Sequence, residues 1–267
     1  MTNQLFRKTV TKVLRKLNEK ELREAQRWLN IVDPASNYSS PLAVREPGTG
    51  GWLLEGPESM DWKEDRGGVP WLHGISGCGK SVLGATAIED VQHLCNANDD
   101  YALAYFHSTF SDSEKQELHN MLLSLISQLP KMPSDRGLPG GVVDLYNSTK
   151  AIGMPAGITA PEDLLSHIVN CFRKSFVVLD ALDEFPKNTR ESLLSWIGEL
   201  TADHKVGSLS VLVTSRPEAD MVRSLGLLAA FPIPLQSKIV DQDIRTYVQK
   251  SLGGKDGFKK FTKEIKN

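Results

Sequence analysis

The sequence predicts an α/β fold, a mostly parallel sheet covered by helices on both faces, and three observations predict it. Short apolar runs recur along the chain: Val69-Pro70-Trp71-Leu72, Tyr101 to Phe106, Phe176 to Leu179 and Leu209 to Val213. Each run is continuous rather than alternating, as in strands buried on both faces. Stretches of helical spacing separate the runs, so strand and helix alternate.

Composition narrows the class. Among 267 residues, 31 Lys and Arg face 33 Asp and Glu, a net charge of −2 that excludes a generally basic nucleic-acid binder. Hydrophobic residues at 40% and charged residues at 24% exclude a disordered or collagen-like chain. Cys78, Cys95 and Cys171 show no CxxC spacing, so neither a disulfide framework nor a zinc ribbon is indicated, and a reducing compartment fits. Arg7, Lys8, Lys12, Arg15 and Lys16 interrupt the apolar residues of the N-terminus, unlike a signal peptide, and no run of about 18 apolar residues occurs. A soluble, cytoplasmic protein without a transmembrane segment is expected.

Residues 1–33 are expected to form an N-terminal helical segment with its helix over 3–30, because Phe6, Val10, Val13 or Leu14, Leu17 and Leu22 recur at three- to five-residue intervals before Asp33-Pro34 stops the pattern. The segment either packs on the main domain or a partner helix, or lies as a basic surface against acidic lipid or protein. Residues 34–68, rich in Pro, Gly and Ser, read as an irregular linker pinned by Trp52, Leu53 and Leu54. Residues 69–235 carry the strand–helix alternation. Within them, Ser111-Asp112-Ser113-Glu114 and Thr159-Ala160-Pro161-Glu162 have capping-box spacing, and 130–160 form a long loop with one helical turn near 142–146. Residues 236–267 hold a further amphipathic stretch, Asp241 to Leu252, and a lysine-rich tail.

The chemistry concentrates after three of the strands. Gly74-Ile75-Ser76-Gly77-Cys78-Gly79-Lys80-Ser81 matches G-x-x-x-x-G-K-[ST] between a strand and a helix. Its glycines allow backbone N–H groups to turn around a polyphosphate at a helix N-terminus, which favours anions. Gly74, Ser76, Gly77, Cys78, Gly79, Lys80, Ser81 and Val82 are the expected cradle. Lys80 would reach the β- and γ-phosphates, and Ser81 would ligate Mg²⁺. The run Phe176 to Leu179 then delivers Asp180, Asp183 and Glu184 at its carboxyl end, where open α/β sheets bind ligands. Asp180 is the candidate Mg²⁺ carboxylate, directly or through water, and Glu184 or Asp183 would orient or deprotonate an attacking water. Arg216, after the run Leu209 to Val213, could sense a γ-phosphate or stabilise charge during its transfer.

Other residues were weighed against blander roles. Six histidines, including His73 and His107, show no i, i+4 pair with an acidic neighbour of the kind a helix-borne zinc site uses. A thiol at a helix N-terminus beside a lysine could react readily, which singles out Cys78, against the alternative of a small residue that merely fits. The five tryptophans are scattered rather than arranged as a stacking platform for single strands, so no nucleic acid is expected.

Together, Trp71 to Ser81, Val178 to Glu184 and Val213-Thr214-Ser215-Arg216-Pro217 resemble the NACHT domain of the signal-transduction ATPases with numerous domains. The closest likeness is the nephrocystin-3-like N-terminal form found in fungal NOD-like receptors. Asp112 to Gln116 and Asp243 to Val248 add to it, and the likeness covers roughly residues 25 to 250. It implies a three-layer P-loop NTPase fold with five strands in the order 5-1-4-3-2, preceded by an N-terminal helix and followed by a helical subdomain. It implies Mg²⁺ with ATP or GTP as ligands, slow hydrolysis, and a switch between assembly states in innate-immunity or heterokaryon-incompatibility signalling. Partners would be proteins or further copies of the chain, engaged through the N-terminal helix or through C-terminal domains. Such proteins continue through a Gly-x-Pro-bearing helical domain; no Gly-x-Pro follows Asp243, so regulated switching by this polypeptide alone is not implied. The alternative is a nucleotide-binding scaffold without effective hydrolysis. A small-molecule kinase fits the extra Asp183-Glu184 pair less well, and a Ras-like GTPase lacks its N-K-x-D motif.

Overall fold

A computed structural model describes residues 45–64, 69–129, 159–202, 209–228, 231–235 and 238–254 continuously, with scattered positions inside 20–43 and 142–150. Strand β3 (Lys174–Asp180) is buried at all seven positions, because its side chains alternate between two separate cores. Val177 and Leu179 enter one core, and Phe176 and Val178 the other. An unbroken apolar run is what such a strand requires.

Strands β1 (Pro70–His73), β2 (Tyr101–His107), β4 (Leu209–Ser215) and β5 (Phe231–Pro234) complete a parallel sheet in the order β2-β3-β4-β1-β5. Read from the other edge, this is the expected 5-1-4-3-2. On the Phe176 face lie α1 (Gly51–Glu55), α2 (Pro57–Glu64) and α3 (Lys80–Asn96), contributing Leu53, Trp62, Leu83, Ile88 and Val91. The opposite face is covered by α4 (Leu118–Gln128), α5 (Thr159–Val169), α6 (Lys187–Ala202) and α7 (Ala219–Leu227). Helix α8 (Lys238–Gly254) follows β5.

The fifth strand carries no apolar run, and its prolines explain why it still pairs. Phe231 and Leu235 donate their N–H groups to Val69, just before β1, and to His73 at its end, at 3.1 and 2.8 Å. Pro232 and Pro234 alternate with them, so the missing donors fall on the outer side of an edge strand, where pairing is not needed.

Three expectations are corrected or lie elsewhere. Residues 34–68 are not irregular throughout, since α1 and α2 form there; Pro57 opens α2 at the position where a missing N–H costs nothing. The Ser111 to Glu114 signal caps no α-helix: Asp112, whose carboxylate accepts the Glu114 N–H at 3.1 Å, caps a 3₁₀ turn, Ser113–Gln116, and α4 starts after Glu117 with no side-chain cap. The predicted helix over 3–30 lies mostly outside the described residues, although Ala25 and Leu29 are buried in the larger core. In the 130–160 loop the positions described around 142–147 are helical, with Val142 and Leu145 buried.

Candidate functional site

The loop joining β1 to α3 is shaped by three glycines for two different reasons. Gly77 and Gly79 take φ of +79° and +94°, a left-handed backbone that glycine adopts without steric cost. Gly74 has no room for a side chain, since a Cβ there would lie 2.6 Å from the Cys78 sulfur. The turn brings the Lys80 ammonium back over its own loop, where it donates to the carbonyls of Gly74 at 3.0 Å and Ile75 at 2.9 Å and lies 3.9 Å from Cys78 Sγ. Ile75 and Ser76 are exposed on the crest. Helix α3 starts at Lys80 and runs for 17 residues, so its free amides and an ammonium are presented together, an arrangement that attracts an anion.

Asp180 closes β3 directly opposite His107 of β2 in the strand register. It is 6% exposed and held from several sides. His107 Nδ1 lies 2.5 Å from Oδ2, the Thr214 hydroxyl donates to Oδ1, and the Ser81 hydroxyl lies near enough to the same carboxylate to favour its ionised form. Helix α3 passes close by at Gly84, where a Cβ would make ordinary contact, 3.7 Å from Oδ1 and 3.6 Å from a Thr214 methyl. Burial pushes the Asp180 carboxyl up, but the hydrogen bond and charge of His107, with the hydroxyls of Thr214 and Ser81, outweigh it and hold the group below its ordinary value. An ionised carboxylate and a hydroxyl in contact are hard oxygen donors, the kind that suit Mg²⁺.

Beyond Asp180 the backbone turns sharply. Ala181 takes a φ of 59°, its N–H donating to Thr214 Oγ1 at 2.9 Å, and the 3₁₀ turn Leu182–Glu184 follows. A non-glycine residue in this region costs roughly 1 kcal/mol, met here by a short side chain and a buried hydrogen bond. The turn separates two acids of similar chemistry. Asp183 is buried, and Arg216 claims both of its oxygens: the backbone N–H donates to Oδ1 at 2.8 Å and Nε to Oδ2. Glu184 is half-buried and accepts the Phe110 N–H at 2.9 Å. Of the two carboxylates expected to handle water, Asp183 is therefore committed to holding Arg216. The hydrogen bond and charge of Asp183 keep the Arg216 guanidinium firmly protonated, and its side chain remains 45% exposed.

Sequence reasoning missed three residues here. Arg190 of α6 is 5% exposed and donates to the carbonyls of Asp183 and Phe185, to Glu218 at 2.7 Å and to Asp220 at 3.1 Å. It joins the turn after β3 to the segment after β4. Thr214 and His107 both fix Asp180. His107 escapes a search for metal spacing because its partner lies on the neighbouring strand, and Arg190 follows the acidic turn by only six residues but carries no motif.

A cavity of about 280 Å³ opens beside the loop, lined in part by Val82, Leu83 and Thr86 of α3, by Gly50, and by Ile244 and Tyr247 of α8. Asp243 of α8 accepts the Gly50 N–H at 2.8 Å and the Trp52 indole N–H at 3.0 Å, and Lys250 pairs with Glu46 at 2.8 Å. The expected residues thus divide between adjoining places. Ser81 lies beside Asp180 at the strand tips, Lys80 folds back on its own loop, Arg216 and Glu184 sit on the turns after β4 and β3, and Cys78, Gly79 and Val82 line the cavity.

A family model described as nephrocystin 3, N-terminal, matches residues 48–216. No curated protein matches the sequence. Among solved structures the chain is similar to one described as Drosophila ORC bound to DNA, with 15% identity, a TM-score of 0.41, and 88% of this chain and 52% of that chain covered. It is also similar to Cdc6p from Pyrobaculum aerophilum, with 14% identity, a TM-score of 0.40, and coverage of 79% and 52% respectively. The chain spans about half the length of these solved chains. Among the described residues no helix is long and apolar enough to cross a membrane.

Proposed function

This chain belongs to the nephrocystin 3, N-terminal family, and from that premise and the site geometry we propose that it binds a nucleoside triphosphate with Mg²⁺ and hydrolyses it slowly. The observation that carries the reading is the nearness of the glycine-rich loop and its helix to the acid-tipped strand: the Ser81 hydroxyl favours the ionised form of Asp180, and a Cβ on Gly84 of the same helix would stand 3.7 Å from Asp180 Oδ1. Two motifs far apart in the sequence supply what a phosphate–cation pair needs. Among the described residues no group of three His, Cys, Asp or Glu side chains could hold a metal by itself. That agrees with a cation that takes one carboxylate and draws its other ligands from water and phosphate.

Each residue then has a task. The loop amides and the α3 N-terminus receive the β-phosphate, and Lys80 exchanges its loop carbonyls for phosphate oxygens. Ser81 and Asp180 hold the cation, which when bound neutralises charge on the phosphate oxygens. Glu184 orients the attacking water, and Arg216, braced by Asp183, contacts the γ-phosphate. The cavity lies just below the roughly 300–1,000 Å³ of drug-sized sites, which suits a base and ribose rather than a whole triphosphate. Its roof on α8 would let the bound nucleotide bias that helix, the basis for a switch in a cytoplasmic NOD-like signalling protein. Three free cysteines accord with a reducing compartment.

A second reading, binding without effective hydrolysis, is favoured by the hydrogen bond that already occupies Glu184. The main proposal is tested by equilibrium binding of fluorescent ATP and GTP analogues, with and without Mg²⁺, to the wild type and Lys80→Ala. Mg²⁺-enhanced binding that falls at least tenfold in the variant is expected. Equal binding by both proteins would place the ligand elsewhere.

A further inference from the structure

We propose that His107 is a positioning residue of the cation site, fixing the Asp180 carboxylate in the orientation in which it meets Ser81. The inference rests on the Mg²⁺–nucleotide reading above and assigns a role to a side chain outside every recognised motif. It starts from the sheet: β2 and β3 run parallel with His107 and Asp180 paired in register, so both side chains leave the carboxyl end of the sheet side by side. The backbone prevents them from separating, because Ser108, the next residue, donates its N–H to the Asp180 carbonyl at 3.0 Å.

The chemistry of the contact settles what the ring does. An ionised carboxylate only accepts hydrogen bonds, so opposite ionised Asp180 the ring donates from Nδ1, 2.5 Å from Oδ2. Through that bond the imidazole acts on Asp180. Thr214 fixes Oδ1 from β4 and His107 fixes Oδ2 from β2, so the carboxylate is gripped from both neighbouring strands, with the Ser81 hydroxyl near it at the start of α3. Rotation about the Asp180 side chain breaks at least one of the two strand-borne bonds. A ligand held in this way meets the cation already oriented, and partners that orient ligands are worth about 10–100-fold in metal affinity. The His107 side chain is 25% exposed, against 8% for Asp180, so its replacement disturbs less of the core than replacement of the acid.

The test uses the full chain and a Mg²⁺ titration of N-methylanthraniloyl-ATP binding, with thermal melting as the folding control. In His107→Ala the half-saturating Mg²⁺ concentration should rise about 10–100-fold, while affinity for the analogue in EDTA stays within about twofold of wild type. His107→Asn, whose amide N–H branches from Cγ as Nδ1 does, should restore most of the Mg²⁺ response. His107→Gln, which carries its donor one bond farther out, should not. The Asn and Gln pair keeps the inference testable if the alanine variant fails to fold. A folded His107→Ala with wild-type Mg²⁺ dependence, equal loss of affinity with and without Mg²⁺, or identical behaviour of Asn and Gln would overturn it. A wild type that binds the analogue without regard to Mg²⁺ would overturn the underlying reading as well, which separates the two failures.

Discussion

Glu184 accepts the backbone N–H of Phe110 at 2.9 Å, so the turn after β3 is clasped by the loop after β2. The Phe110 ring is 76% exposed, which leaves this clasp at the rim of the site. For Glu184 to address a water, the loop must yield or the carboxylate must share its second oxygen. Under the proposed hydrolysis the acid is restrained before it acts, which fits slow turnover.

Glu184→Gln should keep nucleotide affinity within about twofold while slowing phosphate release at least a hundredfold, the usual effect of removing a positioned base. Single-turnover assays with saturating protein make the comparison. If the wild type releases no more phosphate than the variant while both bind, Glu184 has no hydrolytic task and the binding-only reading stands.

Gly74→Ala should destabilise the chain by about 1–3 kcal/mol, because the new Cβ lies 2.6 Å from Cys78 Sγ in a loop with little slack. Cys78→Ala removes that sulfur, so the double variant should recover part of the loss. A coupling of about 0.5–3 kcal/mol in a denaturant-melt cycle is the expected result, and strict additivity would show that the loop relaxes elsewhere.

Much of this fold was legible because both faces of the sheet are covered. Phe176-Val177-Val178-Leu179 is apolar throughout since its residues feed two cores in alternation, and that pattern can be read without coordinates. Lys80 and Ser81 stand out in the sequence through the fixed spacing G-x-x-x-x-G-K-[ST], and Asp180 through its place at the carboxyl end of an apolar run. Two kinds of information were not local. The grip of His107 and Thr214 on Asp180 depends on which strands are neighbours, and the division of labour between Asp183 and Glu184 depends on a 3₁₀ turn entered through the left-handed Ala181. The prolines of β5 concealed a strand for the opposite reason, since an edge tolerates residues that a central strand rejects.

Arg190→Met should cost about 3 kcal/mol, because the carbonyls of Asp183 and Phe185 lose a buried charged donor. The same change should flatten the acid limb of stability. Burial raises the Asp220 carboxyl, but its hydrogen bond to Arg190 and the guanidinium charge outweigh this and hold it below its ordinary 3.8. A depressed acid stabilises the fold above its unfolded value and surrenders that stability as pH falls through the folded one. Denaturant melts between pH 5 and about 2 should therefore slope less steeply in the variant; equal slopes would remove Asp220 from the network.

Alkylation should separate the cysteines. Burial pushes the Cys95 thiol up from 9.0 to about 11, whereas Cys171 is exposed. At pH 8 the thiolate of Cys95 is then roughly a hundredfold scarcer than that of an ordinary thiol, so iodoacetamide mapping should find Cys171 modified first and Cys95 last. Cys78, beside the cavity, should be shielded by nucleotide. Labelling of Cys78 at one rate with and without nucleotide would show that the ligand does not cover this loop.

Strand β4 stands between the strand that carries the glycine loop and the strand that carries the acids, and it grips both. Ser215 receives the Trp71 indole N–H at 2.8 Å on one side, and Thr214 bonds Asp180 on the other. The site should therefore melt with the sheet rather than ahead of it. Heat that loosens the middle of the sheet would undo both contacts in the same step, and a ligand that bridges the outer two strands would clamp the central one without touching it.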